Sequence, residues 1–227
     1  MNRRRRISLV VAGAVLIAGA LALNLNHRSR FLIGGAMVNL GYRFQDPLQS
    51  FDFNHAEGIT PDEVWREVVA QNKLAASVRK RFPRTSRHPV VAIVACMDAR
   101  IDTSELTGDT RKYYYVVRTA GSVVSEKEEE MLELAVENGV KVVVWTRHSD
   151  CAAERAAASP EARLHYPFLT AAIDERDGRL REFLARPHIA SRVADGSLLV
   201  KVLDVDTMTE AMLPPGTPMP PVAAHAH

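Results

Sequence analysis

Two short apolar runs, each followed at once by residues that bind metals well, constrain the fold of this chain more than any other feature. The first run, residues 90–95, leads directly into Cys96, and the second, residues 141–146, is followed by His148 and Cys151. Short runs rich in β-branched residues predict strands. Because ligands of open α/β sheets bind at the carboxyl ends of the strands, the sequence predicts a binding site where these two strands end.

The segment between the two runs predicts how the strands are connected. Residues 112–118 are typical of a further strand, and Ser125 and Glu128 form a capping box at the start of a helix that Gly139 ends. A strand, a helix and a strand with short connections are typical of a right-handed parallel crossover. A fourth strand is predicted over residues 198–203. The predicted fold class is therefore α/β, with a parallel β-sheet core flanked by helices.

Five side chains around the strand ends can form a metal site. Cys96, His148 and Cys151 offer two thiolates and one imidazole, a soft set suited to zinc, and three protein ligands leave a fourth position open. Asp98, kept ionised by the neighbouring Arg100, can accept a hydrogen bond from a metal-bound water. Taken singly, these features have ordinary explanations: a disulfide or two inert thiols, a core histidine, a surface ion pair. Together, at two strand ends, they favour the metal site.

The motifs at these positions resemble those of a known family, the β-class carbonic anhydrases. That family's pattern is Cys-x-Asp-x-Arg, then an Arg-x-Ala-Gly turn, then His-x-x-Cys, and it is met here by residues 96–100, 118–121 and 148–151. Each piece alone is a weak signal, whereas three pieces in the right order are specific. The resemblance covers roughly residues 59–205, about two thirds of the chain.

The resemblance implies a zinc-dependent carbonic anhydrase, a lyase that interconverts CO2 and bicarbonate through attack by a zinc-bound hydroxide. It implies Zn2+ as the cofactor, held by Cys96, His148 and Cys151. It also implies a catalytic role for the pair formed by Asp98 and Arg100. In the family's open form this pair orients the hydroxide, and in the closed form the aspartate takes the fourth zinc position.

The resemblance further implies a substrate contact at Ala120 and Gly121 of the turn. It implies a homodimer or higher homo-oligomer, with the zinc site near the subunit interface. Two rival functions stay open beside carbonic anhydrase. One is a carbonyl sulfide or carbon disulfide hydrolase on the same scaffold, and the other is a membrane-tethered zinc-binding module without catalysis.

The chain also departs from the family pattern at three positions. Thr119 stands where the turn usually has asparagine, Ala152 stands where glycine commonly follows the second cysteine, and Arg147 precedes the histidine where a small or neutral residue is frequent. We expect these residues to change the shape of the pocket, with Arg147 a candidate to alter anion binding. His88 and His165 are candidate proton shuttles by their proximity in the sequence alone.

The amino-terminal segment predicts attachment to a membrane. Four arginines, residues 3–6, precede an uncharged and mostly apolar stretch, residues 7–26. This stretch is at the short end of what spans a membrane, and the arginines favour an amino terminus inside and a domain outside the cytoplasm, on the periplasmic side. Two alternatives are a signal cleaved near Ala22, which gives a secreted protein, and a true start at Met37, which gives a cytoplasmic one.

The charge balance argues against nucleic-acid binding by the remaining chain. Residues 1–30 hold six of the 29 basic residues and no acid, which leaves 23 basic against 27 acidic residues, a net charge of −4. Such a balance gives no basic footprint for nucleic acid. The predicted organisation is a basic segment with a membrane anchor or signal at 1–30, a linker or wrapping arm at 31–58, the zinc domain at 59–205 and a loose Pro-rich tail at 206–227.

Two further expectations concern helices of the predicted zinc domain. A helix begins after Thr60, and its apolar stripe, which includes Trp65, Val68 and Val78, is expected to face a core. After Cys151 the helical pattern is weaker, and Pro167 and Gly178 are expected to cut the region into short pieces.

Overall fold

The computed structural model describes residues 11–21, 26–45, 58–83, 88–107 and 114–218. Two compact units divide the chain, one over Met1–Phe82 and one over Pro83–His227.

The described part of the first unit is helical. Helix α1 covers residues 11–21, α2 covers His27–Gln45 and α3 covers Pro61–Arg81. The predicted capping box at the start of α3 is confirmed, because the Glu63 backbone N–H donates to Thr60 Oγ1 at 3.3 Å and the Thr60 N–H donates to Glu63 Oε2 at 2.8 Å. These bonds satisfy two of the donors that a helix amino terminus leaves free.

The apolar stripe of α3 is exposed rather than packed. The side chains of Trp65, Val68 and Val78 are 65%, 51% and 58% exposed, and no residue of α3 is buried. The prediction of a core-facing stripe is therefore wrong for the described chain. Helical spacing shows which side chains share a face, but it does not show what covers that face.

The predicted anchor and arm fall partly outside the described residues. Residues 1–10 and 22–25 of the amino-terminal segment and residues 46–57 of the arm are among those not described. Within the described part of the chain, no helix combines the length and the apolar character needed to cross a membrane. Residues 31–45 of the predicted linker or arm belong to helix α2.

The second unit is built on one sheet whose strands run mostly parallel. Its described strands are β1 Val91–Cys96, β2 Tyr115–Thr119, β3 Val142–His148, β4 Leu199–Asp206 and β5 Ala211–Leu213. The order across the sheet is β2-β1-β3-β4-β5, with the first four strands parallel and β5 antiparallel to β4. The predicted α/β class with a parallel core is confirmed. The sheet also continues past residue 205, so β5 lies in the segment predicted as a loose tail.

Six helices are described in this unit. They are α4 Thr103–Thr107, α5 Glu126–Glu137, α6 Ala152–Ala158, α7 Pro160–His165, α8 Pro167–Ala185 and α9 Pro187–Ala194. The expectation that Pro167 and Gly178 break the region after Cys151 is wrong for α8. Pro167 occupies the first turn, where its missing N–H is not needed, and Gly178 lies inside the helix as a tolerated interior glycine.

The core has two parts because both faces of the sheet are covered. Val94 and Trp145 pack on one face with Phe183 of α8, and the Trp145 and Phe183 ring centroids are 5.9 Å apart. Ile93 and Val144, their neighbours in sequence, pack on the opposite face, since successive strand residues point to opposite sides. This double burial explains why the strands are continuous apolar runs.

Candidate metal centre

The candidate site lies at the point where the order of the parallel strands reverses. The connection after β1 leads to β2 on one side, and the connection after β2 returns to β3 on the other side of β1. The carboxyl ends of β1 and β3 therefore border a crevice, as at the switch points where open α/β sheets bind ligands. Cys96 is the last residue of β1, His148 is the last residue of β3, and Cys151 precedes the first residue of α6.

The structure brings the three predicted ligand residues together. Their ligand atoms all lie within 4.8 Å of one another, and the three residues are at most 5% exposed. The Sγ atoms of Cys96 and Cys151 are 4.0 Å apart, and both cysteines are free. A disulfide would need about 2.05 Å, whereas two Zn–S bonds of about 2.3 Å at a tetrahedral angle put the sulfurs about 3.8 Å apart. The spacing fits zinc and excludes a disulfide in this structure.

The imidazole of His148 is also arranged as a metal ligand. Its Nδ1 lies 2.8 Å from the carbonyl oxygen of Ser149, and in the neutral tautomer that donates this bond the Nε2 lone pair is free. Nε2 is buried, and among the described residues no hydrogen-bond partner reaches it. Metal-binding histidines commonly use their second nitrogen in this way. A buried nitrogen without a partner beside two sulfurs indicates a position for a cation.

The two sulfurs share negative charge. A hydrogen bond from the Cys151 thiol holds the pKa of Cys96 far below its usual range, although burial opposes this. The same hydrogen bond between the two cysteines, together with burial, raises the pKa of Cys151. Backbone N–H groups of Glu154 and Ala153, in the first turn of α6, favour a Cys151 thiolate. Without a metal the pair therefore holds one thiolate, on Cys96, and a bound zinc ion would displace the proton of Cys151.

Gly121 supports the first sulfur from the turn after β2. Its backbone N–H donates to Cys96 Sγ at 3.3 Å, and its φ of +64° lies in the left-handed region that favours glycine. A Cβ at this position would lie 2.2 Å from Ile173 Cδ1 of α8. The backbone conformation therefore favours glycine, and any larger residue would also force the end of the Ile173 side chain to move. Ala120, predicted with Gly121 to contact substrate, packs half-buried against the same cluster as Cys96.

Asp98 and Arg100 form a two-pronged ion pair beside the ligands. Arg100 Nε donates to Asp98 Oδ1 at 3.0 Å and Nη2 donates to Oδ2 at 2.8 Å, while the Arg100 backbone N–H also donates to Oδ1 at 3.0 Å. These bonds lower the pKa of Asp98 to about 2. The carboxylate therefore stays ionised across the physiological range, with both oxygens turned towards Arg100.

Two more residues hold the loop that carries this pair. Arg118 of β2 donates through Nη2 to the carbonyl oxygens of Cys96 and Asp98 at 3.1 and 2.7 Å. Glu210, in the turn between β4 and β5, accepts the backbone N–H of Asp102 at 2.9 Å. Arg118 is the first residue of the Arg-x-Ala-Gly motif, so the sequence indicates that its position matters but does not show which groups it contacts. Glu210 is 108 residues from its partner, and no local pattern identifies it.

Two other sequence expectations are not supported by the geometry. Arg147 pairs with Asp177 of α8 and, as the neighbour of His148 in β3, points to the opposite face of the sheet. It is therefore not placed to alter anion binding among the ligands. The ring of His88 lies against Gly139, before β1 begins, at the amino edge of the sheet. A six-residue strand of about 20 Å separates that edge from the site, which argues against His88 as a proton shuttle.

Fold and site together define an α/β protein with a cluster of two cysteines and one histidine, able to hold a metal ion, at a switch point of the sheet. The sequence model of the carbonic anhydrase family matches residues 91–205, just over half of the chain and the stretch that holds all three candidate ligands. The chain belongs to this family, in its β class.

Individual relatives agree with this assignment. Beta-carbonic anhydrase 1 of Mycobacterium tuberculosis and of Mycobacterium bovis are each 36% identical to the chain over 69 residues. That match covers 29% of this chain and 40% of each relative, so the chain spans less than half the length of the curated relatives it matches.

Solved structures of β-carbonic anhydrases share the fold. One of the tetrameric enzymes from Sordaria macrospora has a TM-score of 0.50 and 19% identity, over 69% of this chain and 98% of its own. The enzyme of Aspergillus fumigatus has a TM-score of 0.51 and 18% identity, over 65% of this chain and 88% of its own.

Proposed function

We propose that this protein is a zinc-dependent carbonic anhydrase that interconverts CO2 and bicarbonate. The observation that carries the proposal is the buried Nε2 of His148, which faces the two cysteine sulfurs without a hydrogen-bond partner among the described residues. Beside it stands an aspartate that Arg100 keeps ionised. Family membership supports the same activity.

Cys96, His148 and Cys151 would hold the zinc ion. When bound, zinc supplies a Lewis acid that brings the ionisation of water close to neutral pH. The Asp98 carboxylate accepts a hydrogen bond from the attacking water and so aims its oxygen at the carbon of CO2. Arg100 holds Asp98 in this orientation through two parallel hydrogen bonds, a geometry that fixes direction as well as charge.

The turn after β2 supports a small, linear and apolar substrate. Gly121 is buried and Ala120 is half-buried, so these two residues themselves present only backbone and a methyl group. We propose that these two residues contact CO2. Attack yields bicarbonate and one proton, and the proton leaves to buffer.

The proposal is tested by stopped-flow CO2 hydration with the zinc-loaded full chain at pH about 8.5, where zinc-bound water is largely ionised. We expect a rate well above the buffer blank. Cys151→Ser should lose zinc and activity together, and Asp98→Asn should lose activity and keep zinc. Asp174→Asn is the matched control, because it removes the carboxylate of an exposed aspartate–arginine ion pair, formed by Asp174 of α8 with Arg163 of α7.

The same assay separates the rival functions. Turnover of carbonyl sulfide or carbon disulfide without CO2 hydration would replace the proposal with a hydrolase on this scaffold. One zinc per chain with no turnover of any of these substrates would favour a zinc-binding module. Full CO2 hydration by Cys151→Ser would refute the assignment of the ligands.

We also propose a homo-oligomer attached to a membrane by the amino-terminal segment. The tetrameric enzymes of Sordaria macrospora support association, and the arginine block before an apolar stretch supports an anchor with the domain on the periplasmic side. Light scattering gives the oligomeric state. Fractionation of the full chain, with intact mass, distinguishes an anchored protein from one cleaved near Ala22 or started at Met37.

A further inference from the structure

We propose that Asp150 is a positioning residue for the pair formed by Asp98 and Arg100. It lies between two candidate ligands in sequence and ties their loop to the loop that carries the pair. The expected effect of Asp150 on the rate of CO2 hydration rests on the proposed function, whereas its effect on the mobility of the Arg100 side chain does not. The inference follows from how the Arg100 guanidinium is held.

All three guanidinium nitrogens of Arg100 have fixed acceptors, and two residues supply them. Asp98 accepts from Nε and Nη2. Asp150 accepts from the other side, because its Oδ2 lies 3.3 Å from Nη1 and its carbonyl oxygen lies 3.3 Å from Nη2. Arg100 is thus clamped between two aspartates rather than bound to one.

The backbone of Asp150 is shaped for this contact. Its φ of +56° lies in the left-handed region, which is unfavourable for most residues and best tolerated by glycine, asparagine and aspartate. Unusual backbone of this kind is concentrated at functional sites. In this conformation both the carbonyl oxygen and the carboxylate of one residue reach the same guanidinium.

A second arginine fixes Asp150 from the outside. Arg155, in α6, pairs with Asp150 Oδ1 and donates from Nη1 to the Asp150 carbonyl oxygen at 3.0 Å. Charges of alternating sign therefore run outwards from Asp98, whose side chain is 15% exposed, through Arg100 at 33% and Asp150 at 38% to Arg155 at 62%. This row of charges links the half-buried Asp98 carboxylate to helix α6.

Loss of the Asp150 carboxylate would leave Nη1 of Arg100 without its acceptor, and only the backbone carbonyl of residue 150 would then support Arg100 beside Asp98. The two residues could then move as a unit, and the carboxylate would no longer keep a fixed position relative to the ligands. Catalytic groups need to be held within about 0.5 Å of the productive geometry. Removal of such a supporting partner typically lowers activity about 10–100-fold.

The kinetic test compares two substitutions that both accept left-handed backbone. In the zinc-loaded full chain, we expect Asp150→Gly to lower kcat/KM about 10–100-fold at unchanged zinc content. Asp150→Asn keeps an acceptor oxygen and should retain most of the rate. In an Arg100→Ala background, Asp150→Gly should cause no further loss, because the pair it positions is already gone. An equal loss in both backgrounds, or loss of zinc, would refute the positioning role.

A readout without turnover keeps the inference separate from the proposed function. In 15N-labelled protein, the Arg100 Nε–H signal, assigned by its absence in Arg100→Lys, should exchange with solvent at least about tenfold faster in Asp150→Gly than in the unmodified chain. Asp150→Asn should leave the exchange slow. Unchanged exchange in Asp150→Gly would overturn the inference even if the protein hydrates CO2. Faster exchange would support it even if the protein does not.

Discussion

Replacement of Gly121 by alanine tests whether the turn after β2 is fixed by its backbone conformation and by its packing. A φ of +64° costs a non-glycine residue about 1–2 kcal/mol. The new Cβ would also lie 2.2 Å from Ile173 Cδ1, and overpacking of this kind costs about 1–3 kcal/mol. We therefore expect Gly121→Ala to lower the free energy of unfolding by about 2–5 kcal/mol.

The two contributions can be separated with matched variants. Gly196 has a φ of +77° and open space around its Cα, so Gly196→Ala should cost only the backbone part, about 1–2 kcal/mol. Ile173→Val removes the Cδ1 atom that clashes and should restore part of the stability of Gly121→Ala. If the clash is real, Gly121→Ala should destabilise the protein less in the Ile173→Val background than in the unmodified chain.

Urea denaturation followed by tryptophan fluorescence measures these differences. The chain has two tryptophans: Trp145 is 1% exposed in the core of the second unit, and Trp65 is 65% exposed in the first. A Trp65→Phe background makes Trp145 the sole reporter of the metal-binding unit. If Gly121→Ala proves no more destabilising than Gly196→Ala, the packing argument is wrong.

Three further predictions concern charged groups of the second unit. Arg118→Lys should weaken zinc binding by roughly tenfold, measured by competition with a chelator, because a lysine cannot hold the carbonyls of Cys96 and Asp98 with one planar fork. In zinc-free protein, Arg100→Gln should raise the pKa of Asp98 from about 2 towards its ordinary 3.8, measured by carboxyl 13C NMR, since the Arg100 hydrogen bonds cause the shift. Burial raises the pKa of Glu129 above 4.5, so its stabilising contribution is present below pH 4.5 and is lost as pH rises through the raised value. The unfolding free energy of the unmodified chain relative to Glu129→Gln should accordingly fall between pH 4.5 and 8 in urea titrations, and a rise would contradict the assignment.

Much of the fold could be predicted because its signals are local. Val90 to Ala95 and the run before His148 are continuous apolar segments, as strands buried on both faces must be. The capping boxes at Thr60 and Ser125 need only residues three apart, and both are present. The ligand set followed from the same logic, because Cys96 and His148 stand where adjacent strands end.

The failures arose where an outcome depends on residues far away in sequence. The apolar stripe of α3 around Trp65 shows which side chains share one face of the helix, but it does not show whether another element packs against that face. The sequence predicts a break at Pro167, although a proline in the first turn of a helix is compatible with its start. The sequence makes Arg147 a candidate to alter anion binding, whereas in the structure it pairs with Asp177 of α8 and points to the face of the sheet opposite to His148. No sequence spacing contains that information.

Zinc binding and turnover depend on different parts of the structure, one set by local signals in the sequence and the other by distant contacts. The candidate ligands sit at two strand ends and at the residue that caps helix α6, so their positions follow from elements that the core stabilises. Asp98 sits on a loop, and its position depends on contacts from other parts of the unit: Arg118, Asp150 and, through Asp102, Glu210. Substitutions in the core should therefore affect zinc binding and turnover together. Substitutions at Asp150 or Glu210, which do not contact the Cys96 backbone as Arg118 does, should reduce turnover while zinc stays bound, because the acceptor oxygen of Asp98 must be aimed at the water.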